Sequence, residues 1–182
     1  MEFHAAYEEP LKMGIESVRE ICEELGATRF RATTDNAERK KLWHARHHSY
    51  EIMVRAHPQD KIYIMDVAVP ISTYPSLIGF ARKTMEEHGV GGYMIGHAGD
   101  GNVHVELLHR DAESYARAMQ VNGAIVKYAI SLGGTATGEH GVGVGKVAYM
   151  EYEHGQALDV MQSIKQMLDP NGILNPGKIF PQ

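Results

Sequence analysis

The feature that most constrains the fold of this chain is an Asp-Gly pair set among alternating apolar residues, in the segment YMIGHAGDGNVHVELL at residues 93–108. Such a pair favours a two-residue hairpin turn, because a type I′ turn requires positive φ at both central positions. With Asp100 and Gly101 in those positions, His97 faces His104 across the two strands. The sequence therefore predicts an antiparallel hairpin that carries two histidines on one face.

The two opposed histidines suit a metal chelate. Directly opposed residues have Cβ atoms about 4.5–5.5 Å apart, so His97 and His104 can hold one cation with each ring nitrogen at about 2.0–2.1 Å. The two-residue period of a strand also places Glu106 on this face, as a neighbour of the site. A plainer alternative, that both histidines are ordinary polar residues on a solvated strand face, stays open on the hairpin alone.

A second dense segment, GGTATGEHGVGVGK at residues 133–146, has six glycines in fourteen positions around Glu139 and His140. It fails the P-loop pattern, because His140 occupies the place of the first glycine and Val147 follows the lysine. It also fails the dinucleotide-binding pattern, since no strand precedes it. What remains is a carboxylate beside an imidazole on a glycine-framed loop. Glu139 can complete a His, His, Glu metal set with an open position, as in catalytic sites, which leaves His140 free to act as a base.

Apolar periodicity divides the rest of the chain into helices and strands. Helices are predicted over about 8–25, from an N-cap at Asp35 to about Ala56, and over about 75–89, 112–132 and 156–168. Strands are predicted at TRFRAT, at KIYIMDVAVP and in the hairpin. Because helices alternate with strands and at least one strand pair is antiparallel, we expect an α+β fold with an antiparallel sheet covered by helices.

Composition argues against several classes of protein. The net charge of −5 and the scattered Lys and Arg residues give no basic surface for nucleic acid. No run of about 18 apolar residues exists, and no charged segment precedes an apolar one at the start, so neither a membrane span nor a signal peptide is expected. The single cysteine, Cys22, has no partner for an internal disulfide and fits a reducing compartment. We therefore expect a cytoplasmic protein.

Three motifs in order carry a resemblance to a known family, namely GHAGDGNVH, GTATGEHGVGVGK and the terminal LDPNGILNPGKIF. Together with KLWHARHHSY and DVAVPIS, they resemble the C-terminal part of the FAD-linked 2-hydroxy acid dehydrogenases and oxidases of the vanillyl-alcohol oxidase type. The motifs are most similar to those of D-lactate dehydrogenases that pass electrons to a cytochrome or quinone, and next to the flavin subunit of glycolate oxidase. The resemblance covers nearly the whole chain. It implies that residues 1–182 form a ferredoxin-like cap domain.

The resemblance also implies a metal site and a base. His97, His104 and Glu139 would ligate a divalent metal, zinc or manganese. His140 would be the catalytic base that accepts the hydroxyl proton of a 2-hydroxy acid. A positioned base of this kind typically contributes about 10²–10⁴ in rate.

Two further residues match the family and two depart from it. Arg46, in LWHARHH, matches an arginine that holds the substrate carboxylate in a planar fork. Asn175, in NPGK, lies in a stretch that approaches the flavin in such enzymes. In the 2-hydroxyglutarate branch, a lysine that grips the distal carboxylate falls at Ile64, and a substrate-contacting asparagine falls at Glu106. These departures favour a short monocarboxylate such as D-lactate or glycolate.

Enzymes of this kind hold FAD in a separate N-terminal domain. We therefore expect the chain to be a fragment that lacks that domain and needs a flavin-binding domain, in the same or a separate chain, to oxidise a small 2-hydroxy acid. The alternative is a stand-alone metal or carboxylate-binding module without redox activity. Apolar surface that is exposed in the chain is compatible with a homodimer. If the enzyme passes electrons to a membrane electron-transfer chain, peripheral association with the membrane is sufficient.

Overall fold

The computed structural model describes residues 3–180, in which it has seven α-helices and three β-strands. The helices are α1 (Glu8–Glu24), α2 (Asn36–His47), α3 (Ser49–Ala56), α4 (Tyr74–Glu87), α5 (Ala112–Ser131), α6 (Val147–His154) and α7 (Ala157–Leu168). The strands are β1 (Lys61–Ala68), β2 (Gly92–His97) and β3 (Asn102–His109). None of these helices, within the described residues, is long and apolar enough to cross a membrane. The chain divides into two compact units, Met1–Met53 and Val54–Gln182.

In the first unit, α1 has the apolar face that its residue spacing predicts. Leu11, Ile15, Val18 and Cys22 are half-buried, because steps of three and four residues return to the same side of a helix. Leu25, which the same spacing assigns to this face, lies one residue past the helix and is 83% exposed. The predicted helix is therefore confirmed, and its apolar face ends at Cys22.

The start of α2 is confirmed, but its predicted length is wrong. Asp35 is the N-cap, and its Oδ1 accepts a hydrogen bond from the backbone N–H of Glu38 at 2.8 Å. The helix ends at His47 and α3 begins at Ser49, so the segment to Ala56 is two helices. The break is at His48, whose ring nitrogen Nδ1 lies 2.9 Å from the carbonyl oxygen of His44. The backbone of His48 departs from helical geometry, with φ −103° and ψ 17°, and this separates the two helices.

The predicted strand at TRFRAT is also wrong. Residues 28–33 have no regular secondary structure. An isolated extended segment cannot satisfy its own backbone groups and needs a neighbouring strand. No strand in the described residues pairs with this segment.

The second unit contains a three-stranded antiparallel sheet with β3 at its centre. The strand order is β1-β3-β2. The hairpin predicted from the Asp-Gly pair is confirmed, but its predicted register is wrong. His97 lies opposite Asn102, and His104 lies opposite Ile95. The two histidines are therefore diagonal neighbours.

The register differs because the turn is longer than predicted. Ala98–Asp100 form a single 3₁₀ turn, and Gly101 then takes the left-handed conformation at φ 72°. Only glycine occupies that conformation without steric cost. A type I′ turn would also have required positive φ at Asp100, and the four-residue loop avoids this.

The two faces of the sheet differ in polarity, as the alternation along β3 predicts. Val103, Val105 and Leu107 point to one face and are fully buried. They form the core together with side chains of α4 and α5, including Leu77 and Ile125. The other face carries the polar residues of β3, which are Asn102, His104 and Glu106. The predicted α+β fold, an antiparallel sheet covered by helices, is confirmed.

The order of elements from β1 to α5 follows the ferredoxin-like pattern, strand-helix-strand-strand-helix. In the complete pattern, a fourth strand follows the second helix and pairs with β1. Here Thr135 pairs with Ala68 in a single antiparallel bridge. The fourth strand is thus reduced to one residue, and the chain then enters the glycine-rich segment.

Candidate metal and active site

The polar face of the sheet presents His104 at its centre. His104 lies on β3, directly opposite Asp66 on β1, and its side chain is 14% exposed. Asp66, Asn102 and Glu106 on the same face are all buried. Polar side chains buried in this way need partners or ligands, so this face is where we place the site.

His97 reaches the same face from β2. Its ring and that of His104 are perpendicular, with centroids 5.8 Å apart. His97 lies opposite Asn102, two residues from the expected partner His104. A shift of two residues leaves a side chain on the same face of the sheet. The predicted pairing was wrong in register, but the two histidines still meet.

Glu139 approaches His104 from the glycine-rich segment, as predicted. Its Oε1 lies 3.1 Å from Nε2 of His104. The possible ligand atoms, one from each of His97, His104 and Glu139, all lie within 4.8 Å of one another. The backbone N–H of Glu139 donates to Oδ2 of Asp66 at 2.8 Å, which ties the segment to β1.

His140 lies beside this group. Its Nε2 is 3.4 Å from Oε1 of Glu139, and its side chain is 67% exposed. Its ring centroid is 5.4 Å from that of His104. Ligand atoms of Asp66, His104 and His140 form a second group within 4.8 Å, which shares His104 with the first.

Burial lowers the pKa of His104, although the nearby carboxylates of Glu139 and Asp66 oppose that shift. The lowered pKa favours the neutral imidazole, which is the form that binds a metal ion. Burial also raises the pKa of Glu106. The Oε2 atom of Glu106 is buried and has no hydrogen-bond partner among the described residues.

The donor set of His97, His104 and Glu139 fits a divalent metal. Ligand atoms bound at about 2.0–2.2 Å around a tetrahedral cation stand about 3.4 Å apart. The 3.1 Å separation between His104 and Glu139 is close to that value, and the ligand atoms of all three residues lie within 4.8 Å of one another. Two imidazoles and one carboxylate leave a fourth position open, as in catalytic zinc sites.

Two of the predicted site residues lie elsewhere in the chain. Arg46 is an exposed residue of α2 in the first unit. Asn175 is exposed in the irregular segment after α7 and has a φ of 46°, a conformation that asparagine tolerates better than most residues. Their roles toward a substrate carboxylate and a flavin stay predictions.

Comparison with known proteins identifies the family of this chain. The sequence matches the family described as FAD linked oxidases, C-terminal domain, over residues 1–179. The chain belongs to that family. The family resemblance expected from the three sequence motifs is therefore confirmed.

Several curated relatives of this FAD-linked oxidase domain are named as D-lactate dehydrogenases or glycolate oxidase subunits. The probable mitochondrial D-lactate dehydrogenase of Danio rerio is 34% identical, over 99% of this chain and 37% of its own length. The mitochondrial D-lactate dehydrogenase (cytochrome) 1 of Saccharomyces cerevisiae is 36% identical, over 91% and 29%. Glycolate oxidase subunit GlcD of Escherichia coli is 32% identical, over 92% and 36%. The chain spans about a third of the length of these relatives.

A solved structure supports the fold. The 4-ethylphenol oxidase from Gulosibacter chungangensis, in an isoeugenol complex, matches with a TM-score of 0.63 and 20% identity. The match covers 94% of this chain and 37% of that one. This FAD-linked oxidase domain thus shares its fold with about a third of that enzyme.

Sequence reasoning missed two residues of the site in this FAD-linked oxidase domain. Asp66 is 4% exposed and contacts the backbone of Glu139. Lys146, at the end of the glycine-rich segment, has a side chain that is 14% exposed and pairs with Asp66 at 3.1 Å. An acidic residue inside the apolar run KIYIMDVAV was the one available signal for Asp66. Lys146 had none, because its partner lies 80 positions away.

Proposed function

We propose that this chain is the substrate- and metal-binding part of an FAD-dependent D-2-hydroxy acid dehydrogenase. The enzyme oxidises D-lactate or a similar short 2-hydroxy acid to the 2-oxo acid. One observation carries the proposal, which is the meeting of His97, His104 and Glu139 on the polar sheet face of an FAD-linked oxidase domain. The names of the relatives, D-lactate dehydrogenases and glycolate oxidase subunits, support the class of substrate.

His97, His104 and Glu139 hold a divalent cation, zinc or manganese, in this proposal. A bound cation would supply a Lewis acid that stabilises negative charge on the hydroxyl oxygen of the substrate. His104 is suited to the task, since burial lowers the pKa of its ring and so favours the neutral form.

His140 is the proposed base. Oxidation removes the hydroxyl proton and the hydride of the α-carbon, so the acid leaves as a 2-oxo acid. Nε2 of His140 lies 3.4 Å from Oε1 of Glu139, and in this proposal it accepts the proton of the substrate hydroxyl. A bound flavin would supply the acceptor for the hydride.

The preference for a short monocarboxylate rests on the polar sheet face. Ile64 lies directly opposite Glu106 on this face. An apolar side chain offers no hydrogen bond to a second substrate carboxylate, and an acidic one offers it no positive charge. Arg46 is proposed to bind the single carboxylate through its planar guanidinium.

We propose that FAD is held chiefly by a separate flavin-binding domain, with Asn175 near the flavin. The glycine-rich segment of this chain does not suit a flavin pyrophosphate. Its backbone is already engaged, since the N–H of Glu139 donates to Asp66 and that of Ala136 donates to Glu153. The cytoplasmic location and a homodimer also stay predictions.

Metal content of single-site variants tests the donor set. His97→Ala and Glu139→Ala are each expected to lower zinc or manganese binding at least about 100-fold, since each removes one of three ligands. The measurement is metal content by mass spectrometry after loading and dialysis. His109→Ala is a matched control, because His109 lies at the far end of β3 and contacts Tyr115. Unchanged metal content in both ligand variants would refute the donor set.

The flavin requirement gives a separate prediction. The purified chain is expected to be colourless and inactive toward D-lactate with an artificial electron acceptor. Activity should appear when a flavin-binding domain of a relative is supplied. A yellow, FAD-saturated preparation of the chain alone would contradict the proposal. A metal-loaded chain that stays inactive with every such domain would favour a binding module without redox activity.

A further inference from the structure

We propose that Lys146 is a positioning residue for the metal site. Through its ion pair with Asp66, it fixes the segment that carries Glu139 and His140 over His104. This inference rests on the proposed metal site, but it concerns residues that are not themselves assigned as ligands.

Asp66 is the point on the sheet to which the segment is attached. It is buried on β1, directly opposite His104. Its Oδ2 accepts from the backbone N–H of Glu139 at 2.8 Å and from Nδ2 of Asn102 at 3.5 Å. Its Oδ1 lies 3.1 Å from Nζ of Lys146. One carboxylate therefore contacts both a residue of the donor set and the lysine.

Lys146, at the C-terminal end of the segment, attaches that end to Asp66 and Ala136. Besides Oδ1 of Asp66, its Nζ donates to the backbone carbonyls of Asp66 and Ala136. These three acceptors use all three N–H donors of the ammonium group. The ammonium therefore joins β1 to both ends of the segment from Ala136 to Lys146, and it is largely shielded from water.

Gly138 shows how closely the segment lies on this carboxylate. Its φ is 52°, and a Cβ at this position would overlap the carboxylate of Asp66. The backbone therefore rests directly on Asp66, immediately before Glu139. The backbone at Gly138 and the carboxylate of Asp66 are in direct contact, so a change in the position of this carboxylate would also move the segment.

The ion pair also affects which carboxylate is available to a cation. Asp66, His104 and His140 form a potential ligand group of their own. Lys146 already neutralises Asp66, and a neutralised carboxylate is a poorer ligand for a second cation. Glu139 makes no such contact with a lysine in the described residues, so the pair leaves Glu139 as the carboxylate of the site.

A second lysine offers a matched control for a purely structural ion pair. Lys165 pairs with Asp169, which is buried, and also donates to the carbonyl of Leu174. This pair lies at the end of α7 and contacts none of the donor set. Loss of Lys165 should therefore reduce stability without affecting the metal site.

Cobalt(II) binding to the 182-residue chain tests the proposal, with the visible absorption of the bound ion as the signal. Lys146→Met is expected to weaken cobalt binding about 10–100-fold, the usual effect of removing a group that orients a ligand. Lys165→Met should bind cobalt like the wild type, although both variants unfold at lower temperature. Wild-type affinity in Lys146→Met, or equal weakening in Lys165→Met, would overturn the proposal.

A double variant separates stability from positioning. Lys146→Met leaves the buried Asp66 unpaired, which can by itself prevent folding. Asp66→Asn combined with Lys146→Met removes both charges and is expected to recover thermal stability, while cobalt binding stays weak. Recovery of both properties would mean that the pair contributes stability alone, and would overturn the proposal.

Amide hydrogen exchange gives a readout that does not depend on metal. The N–H of Glu139 donates to Asp66, so its exchange should be faster in Lys146→Met and unchanged in Lys165→Met. If the wild type binds no cobalt, the proposed metal function fails, and this exchange measurement still decides whether Lys146 positions the segment. Equal exchange in all three proteins would refute the positioning role.

Discussion

Gly138→Ala is expected to lower the free energy of unfolding by about 3–5 kcal/mol and to abolish metal binding. Two effects add at this position. A residue other than glycine is strained at a φ of 52°, and the added Cβ would overlap the buried carboxylate of Asp66. Relief of the overlap requires Asp66 to leave Lys146 or Glu139 to leave His104. Thermal unfolding and cobalt titration measure the two effects.

Gly141→Ala is the matched control for that substitution. Gly141 lies three residues further along the same segment with a φ of 79°, but a Cβ there would have no atom within 4 Å. Only backbone strain then remains, at about 1–2 kcal/mol. Metal binding should be retained once the protein is folded. If the two alanine variants behave alike, contact between Gly138 and Asp66 is not what shapes the segment.

Gly101→Ala should destabilise the second unit by about 3–5 kcal/mol, through strain at positive φ and overlap with neighbouring backbone. The φ of Gly101 is 72°, and a Cβ there would overlap the carbonyl oxygen of Val69. That carbonyl belongs to the backbone and cannot move aside as a side chain would. Chemical denaturation of the variant measures the loss.

The neighbouring Gly99 distinguishes the observed turn from other turns. A Cβ at Gly99 would have no atom within 4 Å, and its φ is not positive. Gly99→Ala should therefore change stability by no more than about 0.5 kcal/mol. A large loss in this variant would show that the loop does not have the 3₁₀ conformation over Ala98–Asp100.

The fold was predictable from sequence wherever a local pattern determined it. The alternation along β3 identified the buried face, and the apolar spacing of α1 identified its half-buried side. The register of the hairpin was not predictable in the same way. It depends on the packing of Gly101 against Val69, which is a contact between distant parts of the backbone. The strand expected at residues 28–33 failed because strand formation requires a partner that local sequence does not specify.

The candidate site was predictable to the extent that its residues came from recognisable motifs. His97, His104, Glu139 and His140 all meet as the two motifs indicated. The residues that hold them did not follow from the sequence, because Asp66 and Lys146 are ordinary residue types on a strand and at the end of a loop. Their importance arises from burial and mutual proximity, and these properties exist only in the folded chain. The short helix α6 was likewise not predicted.

The single bridge between Ala68 and Thr135 has a consequence for the chemistry of the domain. Had the ladder continued, its register would have set Glu139 opposite Ile64, on the outer side of β1. Two strand spacings, or about 10 Å, would then have separated Glu139 from His104. Because the chain leaves the sheet after one residue, it does not form the hydrogen bonds of a full fourth strand. The segment that follows crosses the sheet face instead and brings Glu139 close to His104 on the central strand. In this domain, the grouping of Glu139 with His97 and His104 comes from an unfinished sheet.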